Sequence, residues 1–152
     1  MMRKVTGVFA AIAILFGIAS TPTVAAEGDD LYKYLALQIS DNDPATMNKV
    51  LNVASNFSRN MSEKGFEPIV EIVAFNAGLH MLRTDTSPVL ERIDSMNASY
   101  PNLTFTACGN TMTLMGRKEG AVPPISEHAV VATAGVVRLM ELDAEGFFVI
   151  RP

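Results

Sequence analysis

Apolar residues in this chain fall into short runs that alternate with stretches of helical periodicity. Tyr34 to Ile39 is a mostly apolar run that stops at Ser40-Asp41-Asn42-Asp43-Pro44, the pattern of a buried strand meeting a turn. Asp43 is placed to cap the helix that Pro44 begins. Met47, Val50, Leu51, Ala54, Phe57 and Met61 then recur at helical spacing, with Asn48, Lys49, Asn52, Asn56, Arg59 and Glu63 on the other side. Gly65 closes this helix in the left-handed conformation. Ile69 to Phe75, β-branched and apolar apart from Glu71, predicts a second strand ending at the turn Asn76-Ala77-Gly78. A short helical turn, Leu79 to Leu82, follows, and Pro88 opens a helix that points Val89, Ile93 and Met96 inward.

After the break at Pro101-Asn102, a third strand runs from Leu103 to Ala107 and reaches Cys108, from which Thr111 to Arg117 continues as a helix. Residues 118–127 hold Gly120, Pro123 and Pro124, a loop long enough to fold over a neighbouring site. Ala129 to Ala132 predicts a fourth strand. Gly135 to Glu145 predicts a last helix with Val136, Leu139 and Met140 inward, closed by Gly146, and Phe147 to Ile150 predicts a fifth strand. Strands alternating with helices at these intervals imply right-handed crossovers, hence a three-layer α/β/α sandwich around a mostly parallel five-stranded sheet. The carboxyl ends of the strands then share one edge, where Ser40-Asp41, Asn76-Ala77-Gly78, Cys108-Gly109-Asn110 and Thr133-Ala134-Gly135 emerge.

The N-terminus changes the compartment. Arg3 and Lys4, the apolar stretch Val8 to Ile18 and the small residues Val24-Ala25-Ala26 read as a secretory signal covering residues 1–26. Residues 27–33 form a polar lead-in, and 34–152 a single domain, periplasmic or secreted, with no membrane span after cleavage. Cleavage removes Arg3 and Lys4, leaving 126 residues with 10 basic and 16 acidic side chains, a net charge of −6. That acidic balance, without a Lys/Arg cluster beyond Arg117-Lys118, argues against nucleic acid as a partner. A chain of this length buries about two-thirds of its unfolded surface and needs no disulfide staple.

Cys108 is the only cysteine, so no internal disulfide is available to it. In an oxidising compartment such a thiol is hidden, paired between chains or kept for reactivity. Its place at a strand-to-helix junction favours the thiolate, through the helix dipole and free N–H groups; the plainer alternative is a small buried hydrophobe. Gly109 permits close backbone approach, Asn110 and Thr111 are hydrogen-bond donors or ordinary caps, and His80 follows the Asn76–Gly78 turn towards the same edge. His128 reads as the entry to the fourth strand. Asp41 and Asp43 read as turn and cap residues rather than an acid/base pair. A rival chemistry is soft-metal binding, since Cys108, Met112 and Met115 stand at i, i+4 and i+7 and sulfur donors suit Cu(I); methionines at that spacing more often fill a core. No Ser-His-Asp signature, Walker loop, dinucleotide glycine motif or zinc spacing is present, and no cofactor is implied.

Five segments together carry a resemblance. Gln38-Ile39-Ser40-Asp41-Asn42-Asp43-Pro44, Val73-Ala74-Phe75-Asn76-Ala77-Gly78-Leu79, Phe105-Thr106-Ala107-Cys108-Gly109-Asn110-Thr111-Met112, Ala134-Gly135-Val136-Val137 and Ile150-Arg151-Pro152 resemble, in order, the exported single-domain branch of the DsrE/DsrF-like family. The resemblance implies a parallel α/β/α sandwich assembling as a homo-oligomer, a trimer or hexamer, with the final strand returning beside the first. It also implies that Cys108 carries sulfane sulfur as a persulfide, with small sulfur species or a thiol protein as partner. The sulfur-relay members of the family are cytoplasmic, and the export signal departs from them. The alternative from another class is a non-catalytic oligomeric ligand-binding module in which Cys108 is packing.

Overall fold

The computed structural model of the protein describes residues 31–152; the expected signal segment 1–26 and residues 27–30 of the expected lead-in lie outside the described residues. Five strands, β1 (Tyr32–Ile39), β2 (Glu67–Ala74), β3 (Leu103–Cys108), β4 (Ala129–Ala132) and β5 (Phe148–Ile150), form one sheet. Its order is β4-β3-β2-β1-β5, with every neighbouring pair parallel. The helices are α1 (Pro44–Glu63), α2 (Leu90–Ser99), α3 (Gly109–Glu119) and α4 (Gly135–Ala144), with a 3-10 turn at Asn76–Leu82. The expected α/β sandwich is therefore present, and β5 does return beside β1.

Alternation along the strands divides the core in two. Leu35, Leu37, Ile39, Val70, Ile72 and Phe105 face α1, α2, α3 and the 3-10 turn in the larger cluster. Ala36 and Val73 face Leu139 and Leu142 of α4, with Phe147, in the smaller one. Three helices thus cover one face and a single helix the other.

Local chemistry explains most of the boundaries. The Asp43 carboxylate accepts from the N–H groups of Ala45 at 3.3 Å and Thr46 at 2.9 Å, and hydrogen bonds from the Thr46 hydroxyl and these amides hold its pKa below the usual value. Gly65 has φ +83°, as a left-handed helix terminus requires. At the second turn, however, Asn76 takes the left-handed backbone, with φ +50°. Gly78 serves close approach instead: a Cβ there would fall on the Ile39 carbonyl, 2.6 Å from its carbon and 2.8 Å from the Ser40 nitrogen.

Four expectations need correction. First, β1 starts at Tyr32, inside the expected lead-in, because Tyr32 and Lys33 pair with Glu67 and Pro68, and the Lys33 ammonium sits 4.5 Å from the Phe66 ring centre. Second, α3 starts at Gly109, directly after Cys108, and α2 only at Leu90, two residues past Pro88. Third, Val136 and Met140 point outward, 56% and 68% exposed; the inward side of α4 is Leu139 and Leu142. An apolar face on both sides of α4 makes the inward residues ambiguous from periodicity alone.

The fourth concerns the loop after α3, which does not fold over the cysteine. It pairs with the chain leaving the 3-10 turn, Thr84 N–H donating to Pro124 O at 3.1 Å and Ser126 N–H to Leu82 O at 2.9 Å. Arg83, 5% exposed, anchors this strap between Asp85 at 2.7 Å and Glu119 at 2.8 Å. Hydrogen bonds to both carboxylates push the guanidinium pKa up, and those from Arg83 hold the two carboxylates down.

Candidate functional site: a thiol between two helix N-termini

Cys108 ends β3 and is the N-cap of α3. Because β4 pairs with β3 so that Ala132 lies opposite Cys108, the turn after β4 brings the first residue of α4 to the same point. The Gly135 N–H donates to Cys108 Sγ at 3.2 Å. Two helix N-termini therefore converge on one sulfur, each presenting backbone N–H groups and the positive end of its dipole.

Glycine makes this convergence possible. A Cβ on Gly135 would stand 3.0 Å from Phe75 Cβ and 3.3 Å from Cys108 Cβ. One on Gly109 would meet the Ala132 carbonyl oxygen at 3.0 Å. Both positions are tighter than side-chain contacts normally allow, so alanine at either would separate the helix ends from the sulfur.

Thr111 supplies a further donor and shows why Asn76 matters. The Asn76 N–H, freed by its left-handed turn, donates to Thr111 Oγ1 at 3.0 Å, and this hydroxyl is among the groups that lower the Cys108 pKa. Burial pushes the Cys108 thiol up. The Thr111 hydroxyl and the N–H groups of Gly135, Thr111 and Asn110 outweigh that cost, and the thiol ends below its ordinary pKa. The Asn110 N–H also donates to Thr133 O at 3.1 Å, which fixes the start of α3 to the turn after β4.

Cys108 is 5% exposed, yet it lines a hollow of about 300 Å³ whose walls include Phe75, Asn76, Thr111, Leu114, Gly135 and Val136. Of the residues singled out from sequence, Cys108, Asn110, Thr111 and Asn76 are on this hollow. Gly109 stands beside it, and Gly78 shapes the turn that presents Asn76. His80 is elsewhere: it lines an adjoining hollow with Lys118 and Met115, and its Nδ1 is 2.8 Å from Thr86 Oγ1.

The sulfur-donor rival does not assemble. Met112 and Met115 pack against the larger core cluster, and Met115 Sδ accepts from Arg83 at 3.8 Å. His128 is tied to Asn97 and Asp94, and Asp41 to Arg151 at 2.6 Å. Sequence reading missed Gly135 as a site residue, along with the apolar walls Phe75, Leu114 and Val136. The one available signal was that Thr133-Ala134-Gly135 leaves a strand at the same sheet edge.

The fold is similar to that of a protein of unknown function from Methanobacterium thermoautotrophicum, with TM-score 0.62 and 26% identity over 79% of this chain and 99% of that one. No family model and no curated protein matches the chain. The chemistry therefore rests on the site itself. It offers a thiol with a lowered pKa on a hollow lined by both apolar and hydrogen-bonding residues. Among the described residues, no helix is long and apolar enough to cross a membrane.

Proposed function

We propose that this is an exported, DsrE-like sulfur carrier that holds sulfane sulfur as a persulfide on Cys108. The observation that carries this reading is the convergence of the Gly135 N–H, the Thr111 hydroxyl and the start of α3 on one thiol. Donors of this kind stabilise the attacking thiolate, and they stabilise equally the terminal sulfur anion of a persulfide. In the loading step the thiolate attacks a terminal sulfur of a polysulfide dianion. A Cys108 S–S bond forms, the neighbouring S–S bond of the polysulfide breaks, and a polysulfide one sulfur shorter leaves with the electron pair and two negative charges.

Intact mass spectrometry after exposure to polysulfide tests the assignment. Whole sulfur-atom additions are expected on the wild-type protein and none on Cys108→Ser. Equal additions on both, or none on the wild type, would sink the carrier reading.

The same reading includes self-association as a trimer or hexamer. It is supported by the outer face of α4, where Val136, Val137 and Met140 are 56%, 50% and 68% exposed. Apolar side chains gathered in this way on one helix mark a contact surface. Met140→Glu is expected to shift the protein to monomer by sedimentation velocity; a wild-type monomer would refute the assembly.

A further inference from the structure

Glu71 is the anomaly of the α4 face. It lies in the middle of β2, 6% exposed, in the layer formed by Ala36, Val73 and Leu139. A carboxylate there is costly unless every lone pair is used. It accepts from Thr106 Oγ1 at 2.7 Å and from Arg138 twice, Nε at 3.0 Å and Nη2 at 2.9 Å. Replacing such a buried pair with apolar residues is often neutral or stabilising, so net stability explains it poorly; fixing a register is the best attested use.

The register at stake is that of α4. Its inward contacts are Leu139 and Leu142 against Ala36, Val73 and Phe147, with Tyr34, Ile69 and Phe75 at the margin; these apolar contacts are non-directional, whereas the fork of Arg138 on Glu71 fixes one position along the helix. Arg138 sits in the first turn of the helix, its N–H donating to Ala134 O at 3.0 Å. Gly135, three residues earlier, donates to the thiol. Thr106, the third member of the cluster, is two residues before Cys108 on the same face of β3. A slide of one residue, about 1.5 Å, would carry the Gly135 N–H out of hydrogen-bond reach of the sulfur.

We infer that Glu71 and Arg138 are positioning residues for Cys108: their bidentate pair locks α4 in the register that delivers the Gly135 N–H to the sulfur. The inference rests on the reading of Cys108 as the reactive group. The hollow over the thiol is lined by no other titratable side chain. Charged and titratable groups on the elements packed around it are His80 and Arg83 on and after the 3-10 turn, Arg117, Lys118 and Glu119 in the last turn of α3, and Asp143 with Glu141 and Glu145 along and after α4; the last two hold the outer side of Arg138 at 3.4 and 3.0 Å. When Glu71 loses its charge, those two carboxylates are left to draw Arg138 outward.

The test is the pH dependence of Cys108 alkylation by iodoacetamide, an uncharged probe, with folding checked by circular dichroism. The midpoint is expected to rise by about half a pH unit or more in Arg138→Met and in Glu71→Gln, from partial loss of one charge-assisted hydrogen bond. Arg138→Lys, which restores the charge without the bidentate fork, is expected to fall between them and wild type. If Arg138→Met does not fold, Glu71→Gln decides alone. A low wild-type midpoint that the folded variants leave unchanged overturns the positioning role and spares the proposed function; a wild-type midpoint in the ordinary cysteine range overturns both.

Discussion

Phe105→Ala is expected to destabilise the protein by about 4 kcal/mol while leaving the alkylation midpoint of Cys108 where it is. Phe105 heads the fully buried side chains by volume, and it sits in β3, an interior strand between β2 and β4, facing the larger core cluster. Truncation loses its transfer free energy and leaves a cavity that the surrounding strands close only in part. Against a total stability of about 5–15 kcal/mol that is a severe loss, readable as a fall in the urea midpoint. Yet Phe105 points away from the face that holds Thr106, Cys108 and α4. Stability and thiol chemistry should therefore separate in this variant, which makes it the control for Arg138→Met. A midpoint that rose as far in Phe105→Ala would mean that the thiol responds to general loosening.

Gly78→Ala is expected to move both quantities. The added methyl group would meet backbone, the Ile39 carbonyl and the Ser40 nitrogen, so no side-chain rotation relieves it. Either the end of β1 or the Asn76–Leu82 turn must shift, at a cost of about 3 kcal/mol. Phe75 N–H donates to that same Ile39 carbonyl at 3.1 Å, and Asn76 N–H to Thr111 at 3.0 Å. Displacing the turn disturbs both bonds and loosens the hydroxyl that helps to lower the thiol pKa. The sign follows: Cys108 has a depressed pKa, so thiolate is present above that value and is lost as pH falls through it. With a weaker Thr111 bond the loss begins at higher pH, and alkylation at neutral pH slows. A variant with unchanged urea midpoint would contradict the packing argument directly.

The elements of the fold were legible because each carries a local signal. Asp43-Pro44 announces α1, Gly65 and Gly146 end helices, and the apolar runs place the strands to within two residues. Cys108 stood out for the same reason, as a thiol between a strand and a helix. What surrounds it did not, because those contacts are set by strand order. Gly135 is 27 residues from Cys108, and Arg138 is 67 from Glu71. Glu71 read only as an interruption of an apolar strand until its partner was in place. His80, in contrast, is near Asn76 in sequence, but the 3-10 turn carries it to the neighbouring hollow.

The bonds around the sulfur have one further consequence. Gly135, Thr111 and Asn110 all act on it as donors, and none of them is a base at physiological pH. The pocket is thus equipped to hold a negative charge, and apart from Cys108 itself none of its lining side chains takes up or returns a proton. In the proposed carrier, the base that activates an unloading nucleophile therefore comes from the partner and not from the walls of this hollow.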